Sequence, residues 1–161
     1  MRLREQKVRR FVFLDDFCGS GLQGLAYSRE LVEEIKRLNR NAWTAYYVLF
    51  GTKAGLDVIR RKTRFDAVEC VYELDESYKC FARQSRYFVG ASRSISRTFA
   101  RRMCQYYGAK LCDEPLGFGG CQLMLGFGHN TPDNTLPVFW HGGPEGRPWR
   151  PIFRRYPKIY G

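Results

Sequence analysis

Short apolar runs alternate with amphipathic stretches through the first half of the chain. Residues 11–14, 43–50 and 65–74 are rich in apolar, aromatic and β-branched side chains and end in polar or flexible residues, which predicts three buried strands. Between them, residues 22–38 and 53–61 carry apolar side chains at helical spacing. Strands that alternate with helices through short loops predict an α/β fold with a parallel sheet and a β-α-β-α-β core. Ligands of such sheets bind beyond the carboxyl ends of the strands.

The second half of the chain has a different pattern. Residues 92–107 predict an amphipathic helix with Ile95, Phe99 and Met103 at four-residue steps on one stripe. A second stripe of this helix is basic and consists of Arg93, Arg97 and Arg101, with Arg102 beside them. A Gly-rich stretch that becomes β-like follows over residues 116–127 and predicts a further strand, before a Pro- and Trp-rich extension.

Length and composition predict one domain. A chain of 161 residues with 44% hydrophobic and 16% aromatic residues can bury one substantial core and is short for two domains. We therefore predict a single domain over residues 1–161, with its core in 8–76 and an extension in 77–161. The first residues contain no apolar stretch, and no later run reaches the ~20 apolar residues of a membrane-spanning helix. This predicts a soluble cytoplasmic protein.

Charge and cysteine content narrow the classes of function. A formal net charge of +11 favours polyanions, whether nucleic acid, nucleotides or an acidic partner surface, and its sign alone does not choose among them. The six cysteines lie far apart, lack a C-x-x-C pair and have only His129 and His141 to help them form a metal site. We therefore predict reduced thiols, no metal site, and structural or solvent roles for both histidines.

The most informative stretch is the turn after the first predicted strand. Two adjacent carboxylates, Asp15 and Asp16, are costly at the end of a buried strand unless a polar group faces them, and a ribose diol can donate to both. Gly19 and Gly21 let a phosphate approach the backbone, and Ser20 adds a hydroxyl. The helix that follows directs its first N–H groups to the same place. The alternative is an acidic helix N-cap, which needs only one aspartate.

Four apolar residues followed by Asp-Asp-x-x-Gly-Ser-Gly resemble the phosphoribosyl-pyrophosphate loop of type I phosphoribosyltransferases. The resemblance implies that Asp15 and Asp16 face the ribose hydroxyls. It also implies that the loop backbone and the Ser20 hydroxyl hold the phosphate, over the residues Gly19, Ser20, Gly21, Leu22 and Gln23. Gly19, Leu22 and Gln23 depart from the hydroxyl-rich pattern that is usual in that family. An active enzyme of this kind would use Mg²⁺ bound through a pyrophosphate ligand.

Two further segments extend the resemblance over nearly the whole chain: Leu-Gly-Phe-Gly, and Asn-Thr-Pro-Asp-Asn-Thr-Leu-Pro-x-Phe-Trp. Together with the loop they look like the phosphoribosyltransferase-like effector family of bacterial conflict systems. Its members are predicted to act beside other antiviral defence proteins, some with retron reverse transcriptases, which implies a protein or ribonucleoprotein partner. A complete type I enzyme also has strands before the loop, whereas this sequence begins at the loop strand. The expectation is that a partner completes the fold, that a half lies outside this sequence, or that the protein binds without turnover.

Three functions therefore stay open. The first is an enzyme, or half of one, that acts at C1 of a phosphorylated ribose by glycosyl transfer or nucleotide cleavage, with Asp15 and Asp16 as its catalytic residues. The second is a non-catalytic basic module that binds nucleic acid or a retron complex through Arg93, Arg97, Arg101 and Arg102. The third is an assembly subunit of a larger defence complex.

Overall fold

The computed structural model describes residues 8–91, 94–145 and 149–156. The chain divides into two compact units, Met1–Leu74 and Asp75–Gly161. No helix in the described part of the chain is long and apolar enough to cross a membrane.

The first unit is built on a three-stranded parallel sheet whose strands lie side by side in chain order. β1 spans Arg10–Cys18, β2 spans Trp43–Thr52 and β3 spans Ala67–Leu74. A helical segment follows β1 and another follows β2. The predicted α/β class and the β-α-β-α-β order are therefore confirmed, because each apolar run forms a strand and each amphipathic stretch forms a helix.

β1 extends beyond the predicted strand and includes both aspartates. Asp15 is paired with Val48, and Phe17 is paired with Phe50. A parallel ladder needs only backbone N–H and C=O groups, so a carboxylate side chain does not end it. The expectation that the aspartates follow the strand is therefore wrong: they lie within it.

The two crossover helices pack against the sheet. The first is continuous over residues 22–38 and consists of α1 (Leu22–Tyr27), a π-helical turn and α2 (Glu33–Leu38). The second, α3, spans Lys53–Lys62. Its buried side chains belong to Leu56 and Ile59, which join the core cluster around Tyr46 and Val48. This packing brings the start of α3 close to the start of α1.

The side chains of β1 alternate between packed and exposed positions. The ring of Phe13 is half-buried and lies 5.2 Å from the ring of Phe65, whereas the next residue, Leu14, is 78% exposed. Other exposed apolar side chains of the three strands are Val12, Leu49 and Val71. Parallel sheets are normally covered on both faces, so this sheet exposes side chains of a kind that are usually buried.

The second unit contains α4, which spans Arg97–Gly108 and corresponds to the helix predicted over 92–107. Ser96 caps it, because its Oγ accepts a hydrogen bond from the backbone N–H of Phe99 at 3.2 Å. The predicted apolar stripe is not a buried face: Ile95, Phe99 and Met103 are 57%, 63% and 38% exposed.

The strand predicted within residues 116–127 does not form. The segment contains a 3₁₀ turn at Phe118–Gly120 and one isolated parallel bridge between Leu123 and Thr135. The reason lies in the backbone, because four residues of the segment have positive φ, which no strand accommodates: Gly117, Gly119, Gly120 and Gln122.

The Pro-rich segment that follows is held by hydroxyl and indole groups. Thr135 Oγ1 donates to the carbonyl oxygen of Leu125 at 2.5 Å, and Trp140 Nε1 donates to that of Thr135 at 2.8 Å. Thr131 Oγ1 donates to the carbonyl oxygen of Arg154 at 2.6 Å. Both threonines are buried. Their hydrogen bonds give this segment a structural role within the second unit.

Candidate functional site

The candidate site consists of the turn between β1 and α1 and the carboxylates on β1. Asp15 is half-buried, and its Oδ2 accepts a hydrogen bond from the hydroxyl of Tyr46 at 2.7 Å. Tyr46 is fully buried. Asp15 Oδ1 accepts a hydrogen bond from the backbone N–H of Asp16 at 3.0 Å, and Asp16 itself is exposed. The two neighbouring carboxylates therefore lie in different environments.

Burial raises the pKa values of the groups around Asp15. Loss of hydration raises the pKa of Asp15, and the charge of Asp16 raises it further, although the hydrogen bond from Tyr46 opposes the shift. Burial raises the pKa of the Cys18 thiol to about 12, and burial together with the bond to Asp15 raises the pKa of Tyr46. At neutral pH Cys18 is a protonated thiol, so it does not supply a thiolate nucleophile.

The turn itself is held by the start of α3. Thr52 Oγ1 donates to the carbonyl oxygen of Gly19 at 2.5 Å and accepts from the backbone N–H of Gly55 at 3.0 Å. Gly21 has a φ of 80°, and a Cβ at this position would lie 2.7 Å from the carbonyl oxygen of Gly55. Only glycine meets both conditions without strain. The hydrogen bonds of the Thr52 hydroxyl and the close approach of Gly21 to the Gly55 carbonyl therefore determine the shape of this turn.

α1 begins directly after the turn. The backbone N–H of Leu25 donates to the carbonyl oxygen of Gly21 at 3.0 Å, which closes the first helical turn. The N–H groups before it have no acceptor within the helix. Leu22 N lies 3.4 Å from Ser20 Oγ. The helix continues to Leu38, so its positive dipole end and its first N–H groups form an environment that favours an anion.

The Leu22 side chain is apolar, and the Gln23 side chain is hydrogen-bonded along the helix. Leu22 is 55% exposed, and Gln23 Nε2 donates to the hydroxyl of Tyr27 at 2.7 Å, one turn further along the helix. Any contribution of Leu22 and Gln23 to phosphate binding therefore comes from their backbone N–H groups.

A shallow depression of about 790 Å³ adjoins the two carboxylates. Its lining includes Asp15, Asp16, Leu14, Tyr47, Leu49, Glu69 and Val71. Small-molecule sites commonly have volumes of several hundred Å³ and an apolar lining with a few polar groups. The depression has this character, and its polar part is formed by carboxylates.

One family model matches almost the whole chain: PRTase-CE, over residues 2–155. The chain belongs to the PRTase-CE family. The phosphoribosyltransferase-like character expected from the loop motif is thereby confirmed. A search of curated proteins and a search of solved structures each found no match.

The basic residues predicted to bind polyanions differ in their environments in this PRTase-CE chain. Arg93 lies outside the described residues. Arg97 Nη1 donates to two backbone carbonyl oxygens of segment 82–83, at 2.8 Å and 2.7 Å, so it joins α4 to the preceding loop. Arg101 and Arg102 are exposed. Of the three arginines that the structure describes, Arg101 and Arg102 are the two with exposed side chains.

Metal ligands and histidines are further possible sources of chemistry in the PRTase-CE chain. Among the residues that the structure describes, no group of three or more His, Cys, Asp or Glu side chains could hold a metal ion. His141 Nδ1 accepts from the backbone N–H of Gly143 at 3.0 Å, and the ring of His129 stacks on that of Phe127 at 5.6 Å. Both histidine rings therefore have contacts within the second unit.

Three residues of the site were missed by sequence reasoning: Tyr46, Thr52 and Gly55. A threonine at a strand-to-helix junction is a typical N-cap signal and could have marked Thr52 as the start of α3. No local signal links Tyr46 to Asp15, because they are 31 residues apart and meet only through the pairing of β1 with β2.

Proposed function

We propose that this PRTase-CE chain binds a phosphorylated ribose, either phosphoribosyl pyrophosphate or a nucleotide, at the β1–α1 turn. The observation that carries the proposal is the placement of the exposed Asp16 carboxylate on the strand that leads into a glycine turn at the start of a helix. A ribose phosphate carries the complementary groups, because its hydroxyls donate hydrogen bonds and its phosphate accepts them.

In this proposal the backbone binds the phosphate. The N–H groups of residues 19–23 belong to the turn and to the first helical turn, where the dipole also favours negative charge. Gly19 and Gly21 keep Cβ atoms away from the approaching phosphate, and Ser20 adds a hydroxyl. Hydrogen bonds between ionised and polar groups are stronger than neutral ones, so the carboxylate on β1 is suited to the sugar hydroxyls.

The reaction supported by such a site takes place at C1 of the ribose. Positive charge develops on the sugar ring as the bond at C1 breaks, and a carboxylate close to the ring stabilises that charge electrostatically. Mg²⁺, when bound through a pyrophosphate ligand, would neutralise the leaving group. Because the Cys18 thiol is buried and protonated, we assign the attacking group to a second substrate rather than to this thiol.

Isothermal titration calorimetry of the full chain tests this function. We expect saturable binding of ribose 5-phosphate and at least tenfold weaker binding of ribose, because hydrogen bonds to a charged group contribute about 1.5–3 kcal/mol. Inorganic phosphate is the control ligand. If it bound as tightly as ribose 5-phosphate, the site would bind anions without recognising the sugar. Absence of ribose 5-phosphate binding by the folded protein would contradict the proposal.

Two finer predictions rest on the family resemblance: an effector role in bacterial antiviral defence, and a protein partner that completes the fold. The exposed apolar side chains of the sheet support the second of them, because a parallel sheet gains free energy when its uncovered face is buried.

A second candidate function is nucleic-acid binding by α4. Arg101 and Arg102 are exposed on this helix, together with Phe99 and Tyr106, which are 63% and 59% exposed. Cations interleaved with exposed aromatic rings are suited to single-stranded nucleic acid, whose bases stack on such rings.

Replacing Arg101 and Arg102 together by alanine is expected to weaken oligonucleotide binding. The plot of log K against log salt concentration has a negative slope, and its magnitude should decrease by about 1.4, because each phosphate contact of a single strand contributes about 0.7. Fluorescence anisotropy over a salt series measures both quantities. Arg40→Ala, which removes an exposed arginine from the first unit, is the matched control. An unchanged slope in the double variant, or no binding by the wild type, would exclude this candidate.

A further inference from the structure

We propose that the two adjacent carboxylates have different tasks: Asp16 contacts the ribose hydroxyls, and Asp15 is a positioning residue that Tyr46 holds in place. This inference rests on the proposed ribose-phosphate site. It differs from the expectation drawn from the sequence, in which both aspartates face the sugar.

Both carboxylate oxygens of Asp15 are engaged within the protein. Oδ2 accepts from the Tyr46 hydroxyl at 2.7 Å, and Oδ1 accepts from the backbone N–H of Asp16 at 3.0 Å. Tyr46 is 0% exposed, so the bond to Oδ2 turns this carboxylate toward the core. A sugar hydroxyl that used these oxygens would have to compete with two existing hydrogen bonds.

Asp16 is more exposed than Asp15. Successive side chains of a strand point to opposite faces, and β1 follows this rule with half-buried residues at 11, 13 and 15 and exposed residues at 12, 14 and 16. Asp16 is exposed, and it lines the depression on the three strands together with the half-buried Asp15. The Asp16 side chain therefore lies on the exposed side of β1, whereas Asp15 is half-buried.

A chain of contacts connects the core to Asp16. Tyr46 belongs to the buried cluster around Leu56 and Ile59, and its hydroxyl orients Asp15. Asp15 in turn accepts a hydrogen bond from the backbone N–H of Asp16, which lies in β1 three residues before the turn begins at Gly19. Asp15 therefore acts on the ligand through the backbone of its neighbour, while Asp16 acts through its carboxylate.

Comparison of ribose 5-phosphate with 2-deoxyribose 5-phosphate separates the two roles, since the deoxy sugar lacks one hydroxyl. Calorimetry on the full chain should show wild type preferring ribose 5-phosphate by about 10-fold or more, as loss of a hydrogen bond to a charged group costs about 1.5–3 kcal/mol. Asp16→Asn should weaken ribose 5-phosphate binding by a similar factor and largely remove the preference. Asp15→Asn should keep the preference, because asparagine retains an acceptor for the Asp16 N–H and its amide can donate to the Tyr46 hydroxyl oxygen.

Tyr46→Phe is the second test of the positioning role. It removes only the hydroxyl, so we expect it to weaken binding of both sugar phosphates. The two factors should agree within about threefold, so the ratio of the two dissociation constants should stay essentially unchanged. Thermal unfolding of each variant checks that the fold is retained. If Asp15→Asn proved unfolded, the ratio of the two dissociation constants in Tyr46→Phe would still test the positioning role.

The outcomes are distinct. Loss of the preference in Asp15→Asn or Tyr46→Phe would overturn the division of roles, since Asp15 would then contact the sugar. An unchanged preference in Asp16→Asn would overturn it as well, while leaving the ribose-phosphate site intact. If wild type bound neither sugar phosphate, the proposed function would fail and this inference with it.

Discussion

Gly55→Ala should destabilise the protein by about 3 kcal/mol and abolish ribose 5-phosphate binding. A Cβ at this position would meet the carbonyl group of Gly19, which is backbone and cannot rotate away as a side chain can. Overpacking of a well-packed site costs about 1–3 kcal/mol, and more where backbone must shift. The displaced carbonyl belongs to the turn assigned to the phosphate. Urea denaturation followed by circular dichroism measures the stability, and calorimetry measures the binding.

Two other glycines provide controls for this prediction. A Cβ at Gly24 would meet the end of the Ile59 side chain, which can move, so Gly24→Ala should cost less than Gly55→Ala. No atom lies within 4 Å of a Cβ at Gly128, so Gly128→Ala should change stability by less than about 0.5 kcal/mol. If Gly55→Ala lowered the free energy of unfolding no more than Gly128→Ala, the result would contradict the close approach of the turn to α3.

Thr52→Val should cost about 2–4 kcal/mol, whereas Thr52→Ser should cost less than about 1 kcal/mol. Valine has nearly the shape of threonine but no hydroxyl, so the carbonyl oxygen of Gly19 and the N–H of Gly55 would both lose their partner. Both glycines are buried, and each unsatisfied buried group costs about 1–3 kcal/mol. Serine keeps the hydroxyl and loses only a methyl group.

The same pair of variants tests whether the two hydrogen bonds of the Thr52 hydroxyl support ligand binding. We expect Thr52→Val to weaken ribose 5-phosphate binding together with stability, and Thr52→Ser to retain it. Equal unfolding free energies for the valine and serine variants would show that the hydroxyl does not hold the turn.

The order of strands and helices in the first unit could be predicted because it depends on local patterns. Apolar runs such as 43–50 and helical spacing such as that of 53–61 are visible within one element. The glycine turn was also predictable, since Gly19 and Gly21 stand at a strand-to-helix junction. Each of these features needs no knowledge of any distant residue.

The contacts that shape the site could not be predicted in the same way. The bond between Tyr46 and Asp15 and the bond between Thr52 and Gly19 join residues 31 and 33 positions apart, and both exist only because β1 pairs with β2. Likewise, helical spacing placed Arg97 on a basic stripe, but only the fold shows that this side chain binds backbone carbonyls. Polar side chains at Asp15 and Asp16 indicated the end of a strand, whereas backbone pairing continued through them.

Leu14 connects the exposed sheet to the proposed sugar site. It is 78% exposed and lines the same depression as Asp16. Any molecule that covered Leu14 would therefore alter the hydration of that carboxylate. Binding of the covering molecule and binding of the sugar phosphate would then be thermodynamically linked. Each would change the affinity of the protein for the other by the same factor. In this PRTase-CE chain, the fraction of protein bound to the covering molecule would then change with the concentration of sugar phosphate, and the reverse would also hold.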